Sequence, residues 1–142
     1  MNADWFFERL LEWGDRPALV ARGQQVSYGE LLGASTVWAE RLTEQGVTAG
    51  SVVGIEGSFS LNACGAFLAA MRLGAVLVPL TPLMRTQREK FLSIAEVTLL
   101  IELDAADGFT LSPLARPVTN PLTLKLTARQ HPGLVIFSSG ST

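Results

Sequence analysis

Apolar residues along this chain fall first into helical spacing and then into solid runs, and the change of period divides it. In residues 4–13, Phe6, Leu10 and Trp13 share one helical face, and Gly14 ends the pattern. After Pro17, the stretch ALVARGQQVS predicts two short strands around Gly23, a hairpin. Ser27 and Glu30 then have capping-box spacing: the Ser oxygen accepts from a free amide of the first turn while Glu reaches back. Behind them Tyr28, Leu31, Leu32, Ser35, Trp38, Ala39 and Leu42 recur at i, i+3, i+4 and i+7. That stripe predicts a helix over 28–45, stopped by Gly46.

From there the apolar residues cluster. Runs at 52–56, 75–80, 97–102 and 134–137 are greasy on both faces, and helical stretches separate the first three. One helix is predicted at 60–73, with Leu61, Cys64, Leu68 and Met71 aligned; another at 86–95, with Thr86 and Glu89 as its cap. Strands without a polar face belong inside a parallel sheet covered by helices. Strand–helix–strand repetition with short connections adds right-handed crossovers. The fold class is therefore α/β, a largely parallel sheet with flanking helices. Residues 104–130 hold Pro113, Pro117 and Pro121 among several turn formers, and predict an irregular excursion with short strands near Val118 and Leu124.

Bulk properties narrow the class. At 142 residues the chain is the size of one domain, and 48% hydrophobic content argues against disorder. A net charge of -2 with interspersed signs lacks the basic footprint of a nucleic-acid binder. Cys64 is the single cysteine, which leaves no disulfide framework and no thiolate metal cluster, and fits a reducing cytoplasm. MNADWFFERL has no basic region before an apolar core, so no signal peptide is expected. The membrane-like stretch at 63–80 carries Arg72 near its middle, at about 2.5–3.5 kcal/mol for a central position, and Gly74 breaks it. A buried helix followed by a buried strand is the better reading, with no membrane span.

The chemistry lies at the end, in VIFSSGST. A loop leaving the carboxyl end of a parallel strand is where open α/β sheets place their ligands. Gly140 lets the backbone turn tightly, the hydroxyls of Ser138, Ser139, Ser141 and Thr142 donate, and successive amides can point into one concavity. No lysine stands at Walker A spacing and no dinucleotide fingerprint is present. By itself the pentapeptide also suits ordinary loop material. His131, before Pro132, receives no catalytic role; Cys64 reads as a small core residue; Trp5, Phe6, Phe7 and Trp13 read as a helix docking at the domain edge. Glu40, Arg41 and Glu44 belong to the solvated side of their helix, and no metal site or catalytic residue is assigned within the segment.

Three stretches in order carry a resemblance. VSYGEL at 26–31, LGAVLVPLTP at 73–82 and VIFSSGST at 135–142 resemble the first, second and third core motifs of the adenylate-forming superfamily. That superfamily comprises acyl- and aryl-CoA ligases, nonribosomal-peptide adenylation domains and luciferases. RPALV at 16–20 and TQREKFLSIAEVTLLI at 86–101 are similar to the same run of elements. The resemblance implies an ATP-dependent ligase: a small carboxylic acid attacks the α-phosphate of ATP, giving an acyl-adenylate, and a thiol of CoA or of a carrier protein then takes the acyl group. It implies that Ser138, Ser139, Gly140, Ser141 and Thr142 hold ATP phosphates, with Mg2+ accompanying ATP. Position 138 is Ser where many relatives have Thr, which keeps the hydroxyl.

Residues 1–142 would then form the N-terminal segment of the large adenylating domain, ending inside the phosphate-binding loop. Expected to be missing are the rest of that loop, the adenine and ribose contacts, the acidic metal ligand, the acyl pocket and the catalytic lysine. The segment alone is expected to be inactive and prone to self-association. An acyl- or aryl-CoA ligase is the first expectation for the parent and a carrier-protein-directed adenylation domain the second. A stand-alone, non-catalytic α/β module stays open beside them.

Overall fold

In the computed structural model, which describes residues 4–138, alternate residues of each apolar run point to opposite faces of one sheet. Val53 and Ile55 of β3 (Val52–Glu56), Leu77 of β4 (Val76–Leu80) and Leu99, Ile101 and Leu103 of β5 (Leu99–Leu103) face one layer. That layer is α2 (Tyr28–Glu44) and α3 (Leu61–Arg72), entering through Trp38, Leu42, Ala66, Ala69 and Ala70. Val52, Val76, Val78, Leu80 and Leu100 face the other side, against Leu92 of α4 (Arg88–Ile94) and Leu126 of α5 (Pro121–Ala128). With helices on both faces, a polar side chain has no solvent to reach, so the runs stay apolar except for Thr98 and the closing Glu56 and Glu102.

β3 pairs in parallel with both β4 and β5, and β4 pairs in parallel with β7 (Gly133–Leu134). β6 (Phe109–Pro113) lies antiparallel on β5, giving the order β6-β5-β3-β4-β7. The fold class is as expected, a mostly parallel sheet with helices. A separate antiparallel hairpin, β1 (Pro17–Ala21) and β2 (Gln24–Ser27), turns at Arg22 and Gly23. Both have positive φ, 55° and 74°, as the two-residue turn that matches strand twist requires. α1 (Asp4–Trp13) packs beside α2, as its apolar face suggested. The capping box closes as spaced: Glu30 N donates to Ser27 Oγ at 3.1 Å and Ser27 N donates to Glu30 Oε2 at 2.8 Å.

Four expectations need correction. The buried face of α3 is Gly65, Ala66, Ala69 and Ala70, whereas Leu61, Cys64, Leu68 and Met71 are only half-buried. The two helices come so close that a Cβ on Gly65 would sit 3.0 Å from Trp38 Cδ1 and 3.1 Å from Ala34 Cβ, which leaves no room for larger side chains. Thr86 does not cap α4; it lies in the 3₁₀ turn Pro82–Gln87, and Gln87 stands at the cap without a side-chain bond. Leu124 is helical, in α5, where Asn120 Oδ1 accepts from Leu122 N and Pro121 fills the first turn, and Val118 belongs to no strand. The last run forms a ladder only at Gly133–Leu134, although Val135 N still donates to Leu77 O at 2.8 Å.

Glu96 ties this irregular region to the core. It follows α4 with φ 57° and accepts from Thr119 N at 2.8 Å, Thr119 Oγ1 at 2.5 Å and Asn120 N at 2.9 Å. The Thr119 hydroxyl first, then the Asn120 and Thr119 amides, hold its carboxyl below the usual glutamate range. A lowered folded value means that the unfolded chain takes up the proton more readily. The contribution is thus complete above about pH 4.3 and is lost as pH falls through the lower folded value. Glu96→Gln should therefore be less stable than the native chain at neutral pH, and the gap should close in acid. Urea midpoints of the two proteins from neutral to strongly acidic pH check this; a constant gap would refute it.

Candidate functional site

The carboxyl ends of β3, β4 and β5 meet at one edge of the sheet, and a charged cluster sits there. Glu56 and Glu102 are direct neighbours in the β3–β5 register. Two adjacent carboxylates repel, and Arg88, the first residue of α4, stands between them. Its Nη1 lies 3.3 Å from Glu56 Oε2 and 2.7 Å from Glu102 Oε1. Arg85, from the 3₁₀ turn, adds Nε at 2.9 Å from Glu56 Oε1. Glu56 is 2% exposed, so its charge is tolerable only because both carboxylate oxygens are bonded. The bond to Glu56 raises the Arg88 guanidinium above its usual value; burial opposes this, and the bond to Glu102 adds to it. A carboxylate so engaged is an anchor for the strand ends rather than an acid or base.

The chain leaves the neighbouring β7 toward the same edge. Phe137 stacks on Phe91 of α4, and Ser138, which follows it, is exposed. Of the five residues expected to hold phosphate, Ser138 is placed at this strand exit, while Ser139, Gly140, Ser141 and Thr142 lie outside the described residues. His131 stays in its own turn, with Nδ1 2.7 Å from the Pro132 carbonyl oxygen. No group of three His, Cys, Asp or Glu among the described residues is arranged to hold a metal ion.

Beside the same edge lies an apolar groove of about 770 Å³, walled by Trp13, Leu19, Phe59, Phe67, Met84 and Phe137 among others. Phe59 and Ile136, both in its lining, are 65% and 67% exposed. Cys64, expected as a small core residue, is half-buried and lines this groove. Burial, and then the charge of Asp107, push its thiol pKa up, which is the opposite of an activated nucleophile. Asp107 itself belongs to a clamp: Asn62 donates to its Oδ2 through the backbone amide at 3.2 Å, and Asn62 Oδ1 accepts from Trp38 Nε1 at 2.8 Å. No helix among the described residues is long and apolar enough to cross a membrane.

The sequence missed Glu56, Glu102, Arg85 and Arg88 as a unit. A glutamate closing an all-apolar run was the available signal, because a charge that deep implies a partner.

A mostly parallel sheet, doubly covered, whose edge strand β7 leads to Ser138 at the carboxyl edge, defines an open α/β domain, an architecture in which ligands commonly bind at that edge. The model for the family described as AMP-binding enzyme matches residues 6–142, and the chain belongs to that family. A linear gramicidin synthase from Brevibacillus parabrevis is 36% identical over an alignment of 157 residues, covering 96% of this chain and 2% of the relative. An artificially fused adenylation–PCP di-domain NRPS, NpsA-ThdA from Klebsiella oxytoca, has the same fold with a TM-score of 0.70. It is 23% identical and covers 94% of this chain and 27% of that one. O-succinylbenzoate coenzyme A synthetase from Bacillus subtilis, solved with ATP and a magnesium ion, gives a TM-score of 0.63 at 27% identity, covering 71% of this chain and 28% of that one. The chain thus spans 4% or less of the first curated relatives it matches.

Proposed function

We propose that the protein to which this segment belongs activates a small carboxylic acid with ATP. A carboxylate oxygen attacks the α-phosphorus, the bond to the bridging oxygen of the β-phosphate breaks, and pyrophosphate leaves. A thiol sulfur then attacks the acyl carbon of the adenylate and releases AMP. The observation that carries this reading is the course of the chain from parallel strand β7 to Ser138 at the carboxyl edge, where the sequence SSGST begins, within a chain of the AMP-binding family. Hydroxyls and amides of Ser138 to Thr142 would take the β- and γ-phosphates, where preorganised donors stabilise the departing charge. Carboxylate-dependent exchange of labelled pyrophosphate into ATP by the complete parent tests it, and absence of exchange across a panel of acids would refute it.

The acceptor has two candidates, each with support. Similarity to the linear gramicidin synthase favours a carrier-protein thiol, and similarity to O-succinylbenzoate coenzyme A synthetase favours CoA. Supplying the parent's acyl-adenylate with CoA or with a phosphopantetheinylated carrier separates them by which thioester forms.

On this reading residues 1–142 are the N-terminal segment of the adenylating domain, reaching into the phosphate loop, and the adenine, ribose and magnesium contacts lie on other parts of the parent. Phosphate donors alone gain only about 0.5–1.5 kcal/mol per bond, because each replaces a bond to water. Association costs at least about 4 kcal/mol, so the isolated segment should bind ATP no tighter than roughly millimolar. The exposed groove should also drive it to self-associate. Calorimetric titration with ATP, beside sedimentation of the same sample, checks both; micromolar affinity would show that the segment carries more of the site.

A further inference from the structure

Two side chains of α4 connect the charge cluster to the strand end from which the phosphate-loop sequence departs. Arg88 and Phe91 stand at i and i+3 on α4 and so share a helical face. Arg88 is fixed by Glu56 and Glu102 at the ends of β3 and β5. Phe91 lies against Phe137 with ring centroids 4.3 Å apart and planes 28° from parallel. Among the described residues β7 is an edge strand held on one side only, by β4, and the last backbone bond to β4 there is made by Val135. Beyond that bond, the flat contact between two half-buried rings restrains the exit at Phe137, immediately before Ser138.

We propose that Phe91 is a positioning residue for the phosphate loop: through Phe137 it fixes the chain at Ser138, where the phosphate-loop sequence begins, with Arg88 as its anchor. This rests on the adenylation reading above. Donors aimed at phosphate act by being in place beforehand, and a displacement of about 1 Å can reduce turnover by about a hundredfold. Phe91 touches neither ATP nor acid, and its effect is confined to the half-reaction that uses the loop.

The test uses the complete parent protein with Phe91→Ala and Phe91→Tyr. Three quantities are measured: ATP affinity by calorimetry without acid, the KM for ATP in pyrophosphate exchange, and transfer of preformed acyl-adenylate to thiol. Phe91→Ala should weaken ATP binding and raise the KM for ATP by about tenfold to a hundredfold. Phe91→Tyr, which keeps the ring, should stay near native values, and thiol transfer should be unchanged in both. Should Phe91→Ala fail to fold, Phe91→Leu keeps most of the apolar volume while removing the flat stack, and the same separation of half-reactions is expected. Native ATP affinity in the ring-less variants, or equal loss in both half-reactions, would overturn the positioning role. Exchange by the native parent with an indifferent Phe91→Ala sinks the positioning alone; a native parent that neither exchanges nor binds ATP sinks the adenylation reading and the positioning with it.

Discussion

Ser139→Ala in the complete parent should slow acyl-adenylate formation by about tenfold to a thousandfold while leaving thiol transfer nearly untouched. On the proposed adenylation reading, the asymmetry follows from where charge appears. In the first half-reaction, negative charge grows on pyrophosphate as its bond to the α-phosphorus breaks. A hydroxyl held in place beforehand stabilises that charge without waiting for water to reorganise. In the second half-reaction pyrophosphate has already gone, and the leaving group is AMP. A donor to the β- and γ-phosphates therefore has nothing to do there. Rapid-quench measurement of adenylate formation, beside transfer of a preformed adenylate to thiol, reads the two steps separately. Equal loss in both would point to damaged folding, and no loss in either would make SSGST ordinary loop material.

Much of the fold was legible because its determinants are either local or repeated. The Ser27–Glu30 capping box needs only residues within one turn of each other, and it closes as spaced. The parallel strands were legible because burial on both faces leaves their runs almost wholly apolar, as at β3, buried along its whole length and polar only at its closing Glu56. What escaped depends on partners distant in sequence or on signals weaker than hydrophobicity. The α3 stripe was misjudged because large apolar residues outweigh alanines in any pattern, while the close approach of α2 selects Gly65 and its alanine neighbours. In α5, Leu122 and Leu124 are 73% and 49% exposed, so the apolar spacing there misled, and the Asn120–Pro121 start was the better signal. Of the site, the strand exit before Ser138 was legible and the charge cluster was not. Glu56 at the end of an apolar run signals that a partner exists, but Arg88 stands 32 residues away and nothing local names it.

The charge cluster also fixes an order of stabilities. Glu56 is 2% exposed, whereas the Arg88 and Arg85 side chains are 29% and 65% exposed, so the two signs do not have equal access to water. Arg88→Ala leaves a buried carboxylate with Arg85 as its remaining ion-pair partner among the described residues and returns Glu102 to repel it. Removing one partner of a buried pair typically costs about 3–5 kcal/mol, and the low end is expected because Arg85 remains. Glu56→Leu deletes the group that cannot reach water. Arg88 then keeps Glu102 at 2.7 Å, Arg85 turns to solvent, and the new side chain faces the layer of Leu80 and Leu92. Replacing a buried charge by an apolar residue of similar volume is often close to neutral, so this variant should lose less than about 2 kcal/mol. Urea unfolding of both variants at neutral pH measures the order. If Glu56→Leu proves the more damaging, the bonds to Glu56 contribute net stability of their own, beyond compensating the burial of its charge.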